Sequence, residues 1–267
     1  MKNSTVWLKS ARYQSKGVSI KNCKVDITSA QEKVSGFDQS VMDRLKVLLI
    51  GAGGLGGEIA HGLIRKGVFQ LKIFDGDFVS ISNLTRQYFY ESDLNKNKAI
   101  CLGKNLIKEA TKTTEIVAYP AMFQKAVEEK SDTDCDVVVC APDNDDTRVY
   151  VSKYFMNKVP VIFTGLDREA STGYVFIQNP GQACIACARP NATSKERFPC
   201  GEAAAIIDLG KIVAGFTLFA IDTTVMKRRT GWSYRQFFIA GFVPDIIQII
   251  EKKKSCSLCK IARKRHE

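Results

Sequence analysis

Cys184-Ile-Ala-Cys187 and Cys256-Ser-Leu-Cys259 are two C-x-x-C pairs in a chain whose only histidines are His61 and His266. Each pair can present two thiolates to one tetrahedral Zn²⁺, and together they make a Cys₄ set. A lone pair would also suit thiol–disulfide chemistry, but two pairs with no histidine nearby favour one structural zinc site. Cys200 is a different kind of thiol. It follows Phe198-Pro199 and precedes a helical stretch beginning near Glu202. A helix N-terminus lowers a thiol pKa and makes Cys200 a nucleophile at neutral pH, although a structural role for it stays open.

A second constellation points to phosphate. Gly51-Ala52-Gly53-Gly54-Leu55-Gly56 fits G-x-G-x-x-G, in which glycines let the backbone approach anionic oxygen at a helix N-terminus. Asp75 follows 19 residues after Gly56, the spacing of an acid that hydrogen-bonds ribose hydroxyls. Taken alone, the loop suggests a dinucleotide such as NAD, or glycines serving only turn and packing. The residues beyond it disfavour NAD. Asp77, Asn83, Arg86, Gln87 and Lys98 follow Asp75, and Asp143 and Asn144 come later. Singly these are ordinary surface charges. Together, two cations, a phosphate loop and an acid able to hold Mg²⁺ suit a triphosphate.

Positioning these residues requires a parallel sheet. Lys46–Ile50 is a short apolar strand running into the glycines, and 55–66 reads as a helix with Leu55, Ile59, Leu63 and Ile64 on one face. Strands at 71–74, 115–119, 136–140 and 160–164 alternate with helices at 97–110 and 145–156. The expectation is a Rossmann-like, doubly wound, mostly parallel α/β sheet with its strand ends opening on one ligand-binding edge. After residue 165 the pattern changes. Residues 173–178 alternate as a more exposed strand, 184–200 read as a Cys-rich loop and polar segment, 202–227 as a long apolar helix, and 235–241 as a strand. These make a C-terminal antiparallel extension.

Composition excludes other classes. Lys and Arg number 39 against 28 acids, a net +11, of which +5 lies in residues 251–267. The remainder is weak support for nucleic-acid binding. No apolar run reaches the ~18–20 residues of a membrane span. The N-terminus has no secretory pattern. Nine cysteines without an export signal suit a reducing cytoplasm, where Cys23, Cys101, Cys135 and Cys140 read as small buried apolar groups.

The ordered set Gly51-x-Gly53-Gly54-Leu55-Gly56, Asp75, Asn83-Leu84-x-Arg86-Gln87, Lys98, Asp143-Asn144, the two cysteine pairs and Cys200-Gly-Glu-Ala-Ala resembles the ThiF/MoeB/HesA family over about residues 41–260. These are adenylyltransferases that activate ubiquitin-like and sulfur-carrier proteins. The resemblance implies ATP-dependent adenylation of a glycine C-terminal carboxylate. Asp75 would hold the ribose, Asn83, Arg86 and Lys98 the phosphates, and Asp143 the Mg²⁺. Gln87 has no separate assignment. Cys200 stands where family members often place an acyl-accepting cysteine.

Two fates of the adenylate follow: thioester transfer to Cys200 and a conjugating enzyme, or sulfur transfer from a separate donor for cofactor or tRNA thiolation. Relatives that act on a small peptide or on tRNA, and inactive partner subunits, are the other readings. The family's Arg-Tyr-x-Arg-Gln stretch has only a partial echo in Arg12-Tyr13-Gln14, too far upstream, and no arginine lies between Arg12 and Arg44. A homodimer is expected, with a pairing in which an arm lysine or another chain supplies that cation. The expected organisation is an N-terminal arm, 1–37, and one adenylation domain, 38–267, including a crossover segment, 188–200, and a basic tail, 260–267.

Overall fold

The computed structural model describes residues 17–22, 28, 30–167, 169–190, 207–239 and 243–263. Cys23, the Arg12 stretch and Cys200 lie outside them.

Among the described residues nine strands form one sheet: β1 (Val18–Asn22), β2 (Lys46–Ile50), β3 (Gln70–Phe74), β4 (Thr114–Tyr119), β5 (Val137–Cys140), β6 (Val161–Leu166), β7 (Thr172–Gln178), β8 (Tyr234–Phe238) and β9 (Ile246–Gln248). Their order is β1-β4-β3-β2-β5-β6-β7-β8-β9. The block β4-β3-β2-β5-β6 is parallel, while β1 and β7 to β9 pair antiparallel. A mixed α/β sheet with an antiparallel extension is therefore present.

Two helical layers cover the sheet. On one face lie α2 (Gly54–Arg65), α3 (Lys98–Leu106) and α7 (Ile207–Val225). On the other lie α4 (Phe123–Glu128), α5 (Asp145–Phe155), α6 (Ile185–Ala188) and α8 (Ser257–Arg263). Strand side chains alternate between the two cores: Val47, Leu49, Leu71 and Ile73 face the first, and Leu48, Ile50 and Phe74 the second. Both faces are buried, so these strands read as continuous apolar runs, not as alternating ones.

Several elements differ from the sequence reading. Residues 97–110 are α-helical only to Leu106 and tighten into a 3₁₀ turn over Ile107–Glu109. The Cys-rich loop holds α6, and the start of the basic tail is helical as α8. Short α4 and edge strand β9 lack enough residues to show a period. The described part of the N-terminal arm is docked. β1 completes the sheet beside β4, and the side chains of Gln31 and Gln39, the latter in α1 (Gln39–Met42), donate to the Lys66 carbonyl at the end of α2. Among the described residues no helix is long and apolar enough to cross a membrane.

Candidate nucleotide site and thiol cluster

The C-terminal ends of the parallel strands align. Ile50 is paired with Phe74 on one side and Cys140 on the other, so Gly51, Asp75 and Ala141 leave the sheet together. Gly51 has φ +96°, a conformation that favours glycine. A β-carbon on it would stand 2.7 Å from the Ala141 carbonyl oxygen. Gly56 lies in the first turn of α2, where a β-carbon would meet the Gly51 oxygen at 2.0 Å. The helix is thereby seated directly against the loop. Gly53, by contrast, precedes α2 with nothing within 4 Å of its β-carbon position. No side chain caps this helix start. The result is an open cradle at a helix N-terminus, as phosphate oxygens require. The Leu55 side chain is buried in the core, which leaves its backbone to serve the loop.

Asp75 is buried. Its Oδ2 accepts the Ala52 N–H at 2.7 Å, and its Oδ1 accepts the Asp77 N–H at 2.8 Å. Burial pushes its carboxyl above the usual range, against the pull of these two donors and of the Lys98 cation. Lys98 begins α3 and its Nζ sits 3.2 Å from Asp77 Oδ2. Asp77 thus tethers Lys98. Asn97 ties the two segments. Its Nδ2 donates to the Asp75 and Asp77 carbonyls, and its Oδ1 caps α3 at Ile100 N–H. Sequence reasoning passed over Asn97, although an asparagine immediately before a helix is a capping signal.

Asn83, Arg86 and Gln87 lie on the segment crossing the start of α2. The Arg86 carbonyl oxygen is 3.1 Å from the β-carbon position of Gly54. Asn83 is buried with its Oδ1 accepting the Ser80 N–H, and Arg86 Nη1 donates to the Ser82 carbonyl at 2.8 Å. Gln87 Oε1 is buried beside the glycine loop without a hydrogen-bond partner among the described residues.

Asp143 and Asn144 are exposed two and three residues beyond Ala141. The Asn144 Oδ1 accepts the Thr147 N–H at 2.8 Å, so Asn144 caps α5. Arg148 is buried, bonded to Asp145 at 2.8 Å and to the Pro142 carbonyl, and braces the loop that carries Asp143. The structure therefore gathers the predicted loop, Asp75, Arg86, Lys98 and Asp143 around one sheet edge. It gives Asn83 and Asn144 capping duties.

The four cysteines of the two pairs converge from positions 72 and 75 residues apart, each pair straddling a helix start. All four are buried, with Sγ–Sγ separations of 3.8 Å for 184–187, 3.5 Å for 184–256, 3.7 Å for 187–259 and 3.3 Å for 184–259. The edge of a tetrahedron with Zn–S bonds of ~2.3 Å is about 3.8 Å. The cluster has the donor set and spacing for a metal ion. Burial pushes the Cys184 thiol up. Burial also works against the Cys187 thiolate, but N–H donors, Lys253 first, outweigh it and hold that thiol below its usual value. Ser152 fixes the first pair. Its Oγ donates to Gln178 Oε1 at 2.6 Å and accepts the Ile185 N–H. Cys101, Cys135 and Cys140 are buried and apart from this cluster, and burial pushes Cys135 up to about 12.

The chain resembles known proteins in sequence and in fold. The NEDD8-activating enzyme E1 catalytic subunit of Schizosaccharomyces pombe is 27% identical over 58% of this chain and 36% of its own length. The adenylyltransferase and sulfurtransferase MOCS3 of Dictyostelium discoideum is 26% identical over 80% of this chain and 51% of its own. The chain thus spans between about a third and a half of these relatives. E. coli MccB, solved with ATP, superposes with a TM-score of 0.70 at 21% identity, covering 83% of this chain and 68% of that one, which shows a shared fold. The model of the ThiF family matches residues 27–260, and the chain belongs to the ThiF family.

Proposed function

We propose that this protein adenylates the C-terminal glycine carboxylate of a ubiquitin-like protein, using ATP and Mg²⁺. The observation that carries the reading is the convergence of the open Gly53 cradle, Asp75, Lys98 and the Asp143 loop at one edge of the parallel strands. In this reading the α2 N-terminus takes phosphate oxygens. Asp75 accepts from the ribose hydroxyls. Arg86 and Lys98 neutralise the phosphates, and the Asn83 Nδ2 donates to them. Lys98 exchanges Asp77 for a phosphate oxygen when the nucleotide enters. Asp143, exposed and accepting from Asn144 Nδ2 at 3.3 Å, holds Mg²⁺.

A carboxylate oxygen of the carrier attacks the α-phosphorus. The new O–P bond forms as the bond to the bridging oxygen breaks, and pyrophosphate leaves with that electron pair. Fixed cations neutralise the growing charge without reorganising at the moment of reaction. The Cys200 thiolate then attacks the acyl carbon, expelling AMP and leaving a thioester for a conjugating enzyme. The relative named for activation of NEDD8 supports the substrate class, and the one named adenylyltransferase and sulfurtransferase supports the adenylation chemistry. The Cys₄ cluster holds one Zn²⁺ that fastens α8 to α6.

The test is ATP–pyrophosphate exchange with glycine-ended ubiquitin-like proteins. Exchange should depend on the carrier, and Lys98→Ala or Asp143→Ala should abolish it. Near-wild-type exchange by Asp143→Ala overturns the metal assignment. Hydride transfer with NAD and no ATP turnover overturns the whole reading. Cys200→Ala should keep exchange and lose a thiol-cleavable adduct. An adduct that survives in that variant assigns the acceptor elsewhere.

A further inference from the structure

A cavity of about 230 Å³ opens at the edge of the sheet opposite Gly51 and Asp75. Gln178 at the end of β7 pairs with Val161 at the start of β6, so the residues flanking it stand at the far edge from the nucleotide site. Lys227, Arg228, Thr224, Ser233, Asn179 and Trp232 are among its lining residues, and no acidic side chain joins them among the described residues.

Its cations are Lys227 and Arg228, while the Thr223 and Thr230 hydroxyls already donate to backbone carbonyls and Asn179 Nδ2 to Gln182 Oε1. Neither Lys227 nor Arg228 has an ion-pair partner within 4 Å among the described residues. Ser233 Oγ accepts the Ile250 N–H at 2.8 Å, which leaves its own proton to donate. Asp222 lies outside the lining, bonded to Lys66 Nζ at 2.6 Å, and the Arg228 charge also acts on it. The end of α7 would normally oppose an anion through its free carbonyls. Here the Arg228 N–H donates to Thr223 O at 2.8 Å and the Lys227 N–H to Thr224 O at 3.2 Å. Lys227 takes φ +53° to close this turn, a position where glycine is the common choice. The chain therefore places a cation where the backbone asks for glycine.

We propose that this cavity binds a phosphate monoester. Two cations with no ion-pair partner within 4 Å among the described residues suit the charge of about −2 on such a group, and its terminal oxygens can use the Ser233 hydroxyl as well. A carboxylate carries half that charge and two oxygens. Trp232 and Ile177 line the remainder and offer an apolar wall to the organic portion. The volume holds a small molecule, not a polymer track. This inference is independent of the adenylation chemistry at the other edge.

The test is calorimetric titration of the full chain with phenyl phosphate and, separately, inorganic phosphate. Both should saturate, with phenyl phosphate tighter because the ring gains the apolar wall. Lys227→Gly suits the left-handed backbone while removing the cation. Combined with Arg228→Gln it should weaken phenyl phosphate about tenfold or more, the scale of a lost charge-assisted contact. The same double variant should bind ATP as the wild type does. Lys98→Ala should leave phenyl phosphate binding unchanged. Absence of saturation by about 10 mM ligand overturns the proposal, since that is weaker than any useful site. So does loss of binding in Lys98→Ala, which would put the phosphate in the glycine loop. Inorganic phosphate binding as tightly as phenyl phosphate overturns the monoester assignment.

Discussion

The Ala52 amide donates to Oδ2 of Asp75 at 2.7 Å, so the carboxylate proposed to receive ribose also fastens the glycine loop that would receive phosphate. Loop and acid come from neighbouring parallel strands, and this bond fixes one against the other before any nucleotide arrives. Asp75→Asn tests the double duty. An amide has one acceptor oxygen, so either the Ala52 or the Asp77 N–H loses its partner. Stability should fall by about 1–3 kcal/mol, the cost of an unpaired buried donor. Affinity for ATP should fall as well. Unchanged urea midpoints would show that the loop holds its shape without the carboxylate.

The glycines of the loop should separate under alanine substitution. Gly56→Ala sets a methyl group 2.0 Å from the Gly51 oxygen and should destabilise the fold by about 2–4 kcal/mol. Gly53→Ala meets nothing within 4 Å and should leave the melting temperature nearly unchanged. Its methyl group would enter the cradle, so KM for ATP should rise about tenfold, a ~1.4 kcal/mol loss. Equal thermal shifts for the two variants would contradict this division.

Metal content should follow the thiol cluster. Elemental analysis is expected to give about one zinc per chain, with Cys256→Ser lowering it. Because Cys256 and Cys259 secure α8, the variant should also expose the C-terminal segment to protease first. A metal-free protein carrying a Cys184–Cys187 disulfide would point to redox chemistry instead.

An acid-end stability loss is expected from Asp132. Burial pushes its carboxyl up, but the Lys72 ammonium, 2.7 Å away, and the Asp134 N–H more than reverse this, leaving it below 3.8. A depressed carboxyl contributes stability that is present above its unfolded pKa and lost as pH falls through the folded one. Wild-type stability should therefore drop below pH 3.8, a slope that Lys72→Met should flatten. At neutral pH the variant should lose only about 1 kcal/mol, because Asp132 is largely exposed. Urea midpoints between acid and neutral pH read both effects.

By itself the sequence determined the parallel core and the identity of the chemical groups. Apolar runs at Lys46–Ile50 and Val137–Cys140 admit little but buried strands, and glycines directly after a strand signal close backbone approach. The spacing of Cys184 with Cys187 and of Cys256 with Cys259 showed two half-sites. Only the tertiary structure decided which groups meet. It joined cysteines 72 and 75 residues apart, because α6 and α8 pack in the same core. It set Asp77 against Lys98, a contact that depends on backbone direction at strand ends. It also made the cavity at Lys227, whose walls come from α7, β7 and the approach to β8. Local composition encodes period and turn chemistry, which act within a few residues. Contacts between distant segments follow from strand order and helix packing, and no single stretch of sequence carries those.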